Sequence, residues 1–287
     1  MRLRTRVWLA ALVVALVAML LAVGTLFSWM VNETHFDRPT AEFDAFAEQV
    51  DELPGVGEVK HERWVEAPLF VDPISWVGLS VDREHLGTLL GDLCASAYPS
   101  AVSWSIRVAT EAGGVISLHS ETDSSRRALT ADACPTFGFE AEPLVDELAE
   151  LAPALSVQPA IWEDGRFALV SLDDAPSGYA HLLPLVQHST RLLLAAGLDA
   201  TRTVELNSTR LGATILPGQQ AAYVDLLTEL ADEHEVTSFW ADGGGTPVDG
   251  VDRVHVIAPA AHRTPIEDAI RASGLHIADF PVEFHDP

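Results

Sequence analysis

Three stretches of the chain repeat one spacing, and that repetition constrains the fold more than any other feature. "VDELPGVGEVKHERW" ends at Trp64, "LAELAPALSVQPAIW" at Trp162 and "LTELADEHEVTSFW" at Trp240. Each carries a Glu-Leu pair (Glu52-Leu53, Glu150-Leu151, Glu229-Leu230), and the Leu precedes the Trp by 11, 11 and 10 residues. A spacing kept three times in one chain marks an internal repeat.

Between these marks the hydrophobic period switches between helix and strand. Phe43, Phe46 and Val50 share one helical face. Leu86, Leu89, Leu90, Leu93 and Cys94 give a full i, i+3, i+4, i+7, i+8 stripe, and Leu144, Val145, Leu148 and Leu151 give another. A fourth helix is expected from a Ser177 cap to Gly197, with Pro184 near its start, and a fifth through Tyr223, Leu226, Leu227 and Leu230. Thr264 as N-cap and Pro265 at the first helical position open a sixth, which ends at Gly274. The strands alternate: Val102, Trp104, Ile106 and Val108 oppose Ser103, Ser105 and Arg107, while Val77, Leu79 and Val81 oppose Gly78 and Ser80. "VKHERW" is charged enough to be a protected edge.

The order helix, strand, turn, strand suggests an α+β protein of repeated ferredoxin-like (split βαβ) αββ units. Antiparallel sheets with helices on one face are expected, because one side of each strand is apolar and the other polar. The units fall at 40–119, 141–216 and 218–287, with 32–39 as a juxtamembrane linker and 120–140 as a polar linker. Asp164-Gly165 between alternating runs signals a tight hairpin. Trp64, Trp162 and Trp240 then read as structural marks, each closing a strand where a large ring can cover the end of the core.

The first 31 residues stand apart. Arg2, Arg4 and Arg6 precede 25 uncharged residues, Val7 to Val31. As a helix that run is roughly 37 Å long, enough for a hydrocarbon core of about 30 Å. Signal-peptide apolar regions are shorter. A single-pass anchor with a cytoplasmic N-terminus and an extracytoplasmic C-terminal domain is the expectation. There Cys94 and Cys134 can pair.

All 42 acids but only 14 of the 17 Lys and Arg follow the apolar run, and the whole chain carries −25. Such a surface repels phosphate backbones, so nucleic acid is excluded as a partner. Catalytic motifs are absent from the sequence: no G-x-S-x-G, phosphate loop, C-x-x-C or G-x-G-x-x-G occurs, and "HERWV" lacks the second His of a zinc-protease helix. Asp242, Asp249 and Asp252 in a glycine-rich loop are the candidate cation ligands, calcium being the ion that suits them. No other cofactor is implied. The expected function is a non-catalytic, protein-binding or scaffolding module of a bacterial cell envelope. Its partners would be another membrane or envelope protein and the bilayer itself through residues 7–31. A divalent-cation or small-solute binding protein is the alternative, and an acid-pair hydrolase a lesser one.

Overall fold

The apolar stripes and alternating runs become, in a computed structural model of the chain, seven α-helices and twelve β-strands among the described residues. Those residues are 19–20, 35–66, 73–120, 133–162, 165–173, 175, 177–241 and 251–285. The helices are α1 (Ala41–Asp51), α2 (Leu86–Cys94), α3 (Ala141–Leu151), α4 (Leu183–Gln187), α5 (Ser189–Ala195), α6 (Gln220–His234) and α7 (Arg263–Ala272). The strands are β1 (His35–Asp37), β2 (Val56–Glu66), β3 (Ile74–Val81), β4 (Ser103–Ala109), β5 (Val115–Ser120) and β6 (Val157–Ile161). They continue with β7 (Phe167–Ser171), β8 (Val204–Asn207), β9 (Leu211–Ile215), β10 (Ser238–Ala241), β11 (Val254–Ile257) and β12 (Val282–His285).

All twelve strands lie in one sheet, side by side in chain order. The hairpins β2/β3, β4/β5, β6/β7, β8/β9 and β10/β11 are antiparallel. From β3/β4 to β11/β12 the pairs joined through helical segments are parallel and directly hydrogen-bonded, whereas β1 and β2, joined through α1, are antiparallel. This overturns the ferredoxin-like expectation. In a split βαβ unit a third strand sits between the two that the helix connects; here none does, and the sheet is mixed rather than antiparallel. The sequence pattern specifies a helix and a hairpin but not where that hairpin docks, and each one adds to the edge left by its predecessor.

The helices share one face of the sheet. A side chain at Gly87 of α2 would collide with Glu142 of α3. Arg191 of α5 pairs with Glu147 and Glu150 of α3, α4 packs on α6, and α6 packs on α7. Parallel pairs point alternately up and down while the sheet grows in one direction. With every helix on one side, successive crossovers must therefore wind in opposite hands, against the usual right-handed preference.

Below the helices lies one continuous apolar core, with Phe43, Trp104, Phe167, Tyr179, Tyr223 and Phe239 fully buried. The alternation in β3 and β4 appears as expected: Val77, Leu79, Trp104, Ile106 and Val108 face inward, while Trp76, Gly78, Ser103 and Ser105 are half-exposed on the other side. Cys94 and Cys134 form a disulfide, although Cys94 sits at the exposed end of α2 rather than on its buried stripe. The strap after residue 132 is held further by the Trp104 indole, which donates to the Ala133 carbonyl at 2.8 Å. Near Gly197 the expected single helix is broken into a short 3₁₀ turn, α4 and α5, with the break at His188. The last helix begins at Arg263, with His262 rather than Thr264 at the N-cap position and no side-chain cap, so Thr264 and Pro265 fall inside its first turn.

The membrane anchor is corrected as well. No helix among the described residues is long and apolar enough to cross a membrane. The span expected over 7–31 lies outside the described residues apart from Met19 and Leu20. The signal-anchor and single-pass localisation, with its extracytoplasmic C-terminal domain, therefore has no support here.

Candidate binding face

The face without helices carries the outward half of each strand's alternation, and strand register decides which of these residues meet. In its first half, Gly78 pairs with Ser105, and Ser105 with His119, forming a row across β3, β4 and β5. The Trp76 ring lies over Gly78, where a Cβ would come within 2.6 Å of the indole. Glycine is needed there for the ring to lie flat. The Trp76 indole donates to Ser105 Oγ at 3.0 Å, and the same oxygen lies 3.1 Å from His119 Nδ1. Ser and His in contact suggest nucleophilic chemistry, but that also needs a substrate cavity around the pair. This pair stands on an open strand surface. Two shallow clefts among the described residues lie elsewhere, one between α6 and α7 and one beside β2 at Phe43, His61 and Arg63.

In the middle of the face Glu205 is fully buried. Its carboxylate is paired with the Arg166 guanidinium and accepts from Asn207 Nδ2 at 2.5 Å. Both contacts compensate a charge that would be costly to bury alone. Trp240 covers Gly212 on the neighbouring strand, with a Cβ there falling 2.8 Å from the ring. So the glycine-under-tryptophan arrangement of Trp76 recurs seven strands away.

At the far end His255 faces Glu283 across β11 and β12, and His285 follows two residues later on the same side. His255 Nδ1 is 3.4 Å from His285 Nε2 and 3.8 Å from Glu283 Oε2, and His285 Nε2 is 4.0 Å from Glu283 Oε1. A second histidine pair, His234 and His262, stands on the helical side with ring nitrogens 3.4 Å apart beside Glu229.

The residues singled out from sequence are distributed as follows. Trp64 and Trp240 lie in the first strands of the hairpins after α1 and α6, and Trp162 directly follows β6, the first strand of the hairpin after α3. They do not seal the core end, however. Alternation turns Trp64 and Trp240 to the helix-free side, half-exposed, and Trp162 at its hairpin turn is 37% exposed. The turn itself closes through the Gly165 amide donating to the Trp162 carbonyl at 2.8 Å, with Gly165 at φ 83°. Asp252 is exposed, while Asp242 and Asp249 lie outside the described residues. The rows Gly78–Ser105–His119 and His255–Glu283–His285 were missed in sequence because register brings them together. Only "EFH", with an acid and a histidine two apart on a strand, carried a local signal.

Two perturbed groups lie away from this face. Burial, with the Asp232 carboxylate adding to it, pushes the Tyr179 hydroxyl above its ordinary range, and that hydroxyl donates to the Leu227 carbonyl at 2.9 Å. The Thr201 amide and then its hydroxyl, both donating to Asp199, hold that carboxyl below its usual value. Neither adjoins a cleft that would give it catalytic work. No known protein family matches the chain, and no curated protein is significantly similar to it.

Proposed function

We propose that the chain is a non-catalytic protein-binding module whose contact surface is the helix-free face of the sheet. The observation that carries this is the set of tryptophans on that face, with Trp64 and Trp76 as diagonal neighbours and Trp240 packed against Gly212. A half-exposed indole presents a large apolar area, and tryptophan is enriched among the residues that dominate protein interfaces. The free edge of β2 extends the surface. β1 covers β2 at Trp64–Glu66, and Val56–Glu62 has no strand neighbour on that side among the described residues. With a net charge of −25 the chain favours a partner that surrounds an apolar patch with basic side chains.

The test uses a photo-crosslinking residue placed either at Arg107 on the helix-free face or at Glu229 on α6. A discrete adduct with a second protein should form from position 107, be absent from position 229, and be lost in a Trp76→Ala background. Equal adducts from both positions, or none from 107, would count against the proposal.

A further inference from the structure

We infer that His255, Glu283 and His285 form a site for a divalent transition metal of the zinc class, with a fourth position open to solvent. Two imidazoles and one carboxylate are a ligand set that zinc uses when a coordination position is left free. In tetrahedral zinc sites, ligand atoms about 2.0–2.1 Å from the metal lie about 3.3 Å from one another. The separations of 3.4, 3.8 and 4.0 Å are close to that triangle before any metal contracts it.

The backbone supplies this arrangement rather than chance side-chain meetings. Parallel pairing sets His255 beside Glu283 and Ile257 beside His285. Period two then brings His285 to the same face as Glu283. The two imidazoles stack with their planes 17° apart and centroids at 5.7 Å. Arg253 Nε, 3.9 Å from Glu283 Oε2, competes for the carboxylate and sets how readily a cation can take it. Hard ions such as calcium prefer six or more oxygens, which this triad does not offer. Because β12 is a four-residue strand paired to β11, bound metal would also clip that end of the sheet to its neighbour.

Calorimetric titration of the full-length chain with Zn²⁺, and separately with Ca²⁺, tests this. One Zn²⁺ per chain should bind. The affinity should fall by at least about 100-fold in His255→Ala and in His285→Ala, and Ca²⁺ should show no comparable site. Glu283→Gln keeps the side-chain shape and should also weaken binding, while Arg253→Gln should strengthen it. These side chains are exposed, so the metal-free melting temperature should stay within a few degrees of the parent, which separates a lost site from a lost fold. His234→Ala removes the other histidine pair and serves as control. Zinc binding that follows His234, that persists undiminished without His255 and His285, or that never exceeds the response to Ca²⁺ would overturn the inference. None of these outcomes bears on the tryptophan face, which is tested by crosslinking alone.

Discussion

The two ends of the sheet are held by different means. β2 to β5 are 11, 8, 7 and 6 residues long, so long backbone ladders tie them together, and the Cys94–Cys134 bond fastens a strap against Trp104. β8 to β12 are 4 or 5 residues each. There the ladder is short, and helices do more of the holding: α6 and α7 pack together, and Tyr179 reaches from before α4 to the α6 backbone. The same repeated element, a helix followed by a hairpin, is therefore stabilised by sheet and covalent closure at one end and by helix packing at the other. The polar face differs in parallel, with a Trp–Ser–His hydrogen-bonded chain at the first end and a His–Glu–His triad at the second.

Removing the disulfide is the strongest way to break this contrast. Cys94→Ser with Cys134→Ser reopens a loop of 40 residues and should cost roughly 4 kcal/mol on the chain-entropy account. Hydrogen exchange should then show β4 and β5 losing protection before β10 and β11. Equal loss across the sheet would mean that the continuous core couples the ends too tightly for the contrast to matter.

The counterpart at the other end is Tyr179→Phe, which removes the hydroxyl's bond to the Leu227 carbonyl and should cost about 1 kcal/mol in denaturant melts. It also carries a pH signature. The folded hydroxyl titrates higher than the ordinary value near 10. Its contribution is thus fully present below that pH and is lost progressively as pH rises above it, toward the raised folded value. The stability difference between wild type and Tyr179→Phe should narrow above pH of about 10. A difference that stays constant to high pH would show the hydroxyl is not protected by burial.

The smallest effect expected is a gain. Glu235 ends α6 at φ 55°, a left-handed conformation that no other non-glycine among the described residues adopts. Glu235→Gly should raise stability by up to about 1 kcal/mol, measured as an increase in thermal midpoint. A decrease would show that the Glu235 side chain contributes something the backbone cost conceals.

Much of the fold is legible in the chain. Leu86, Leu89 and Leu93 are buried in α2, and Leu144, Val145 and Leu148 in α3, as their spacing requires. Boundaries were less legible: His188 breaks the fourth helix although its apolar pattern runs on. The candidate surface was legible only as the polar half of each strand. Ser105 and His119 are 14 residues apart and His255 and His285 are 30 apart, so no local motif could join them. The tryptophan repeat was visible, but its side of the sheet depends on counting alternation from a register that the sequence does not state.

By itself the sequence determined most of the helices, the hairpins, the acidic composition and the pairing of its two cysteines, because side-chain period, turn chemistry and composition are local properties. The tertiary structure decided that successive hairpins lie side by side in one mixed sheet with every helix on one face. It also decided which polar residues of the other face meet. Strand pairing between hairpins is made by backbone groups common to all residues, so register and neighbour choice are settled by the packing of the whole core.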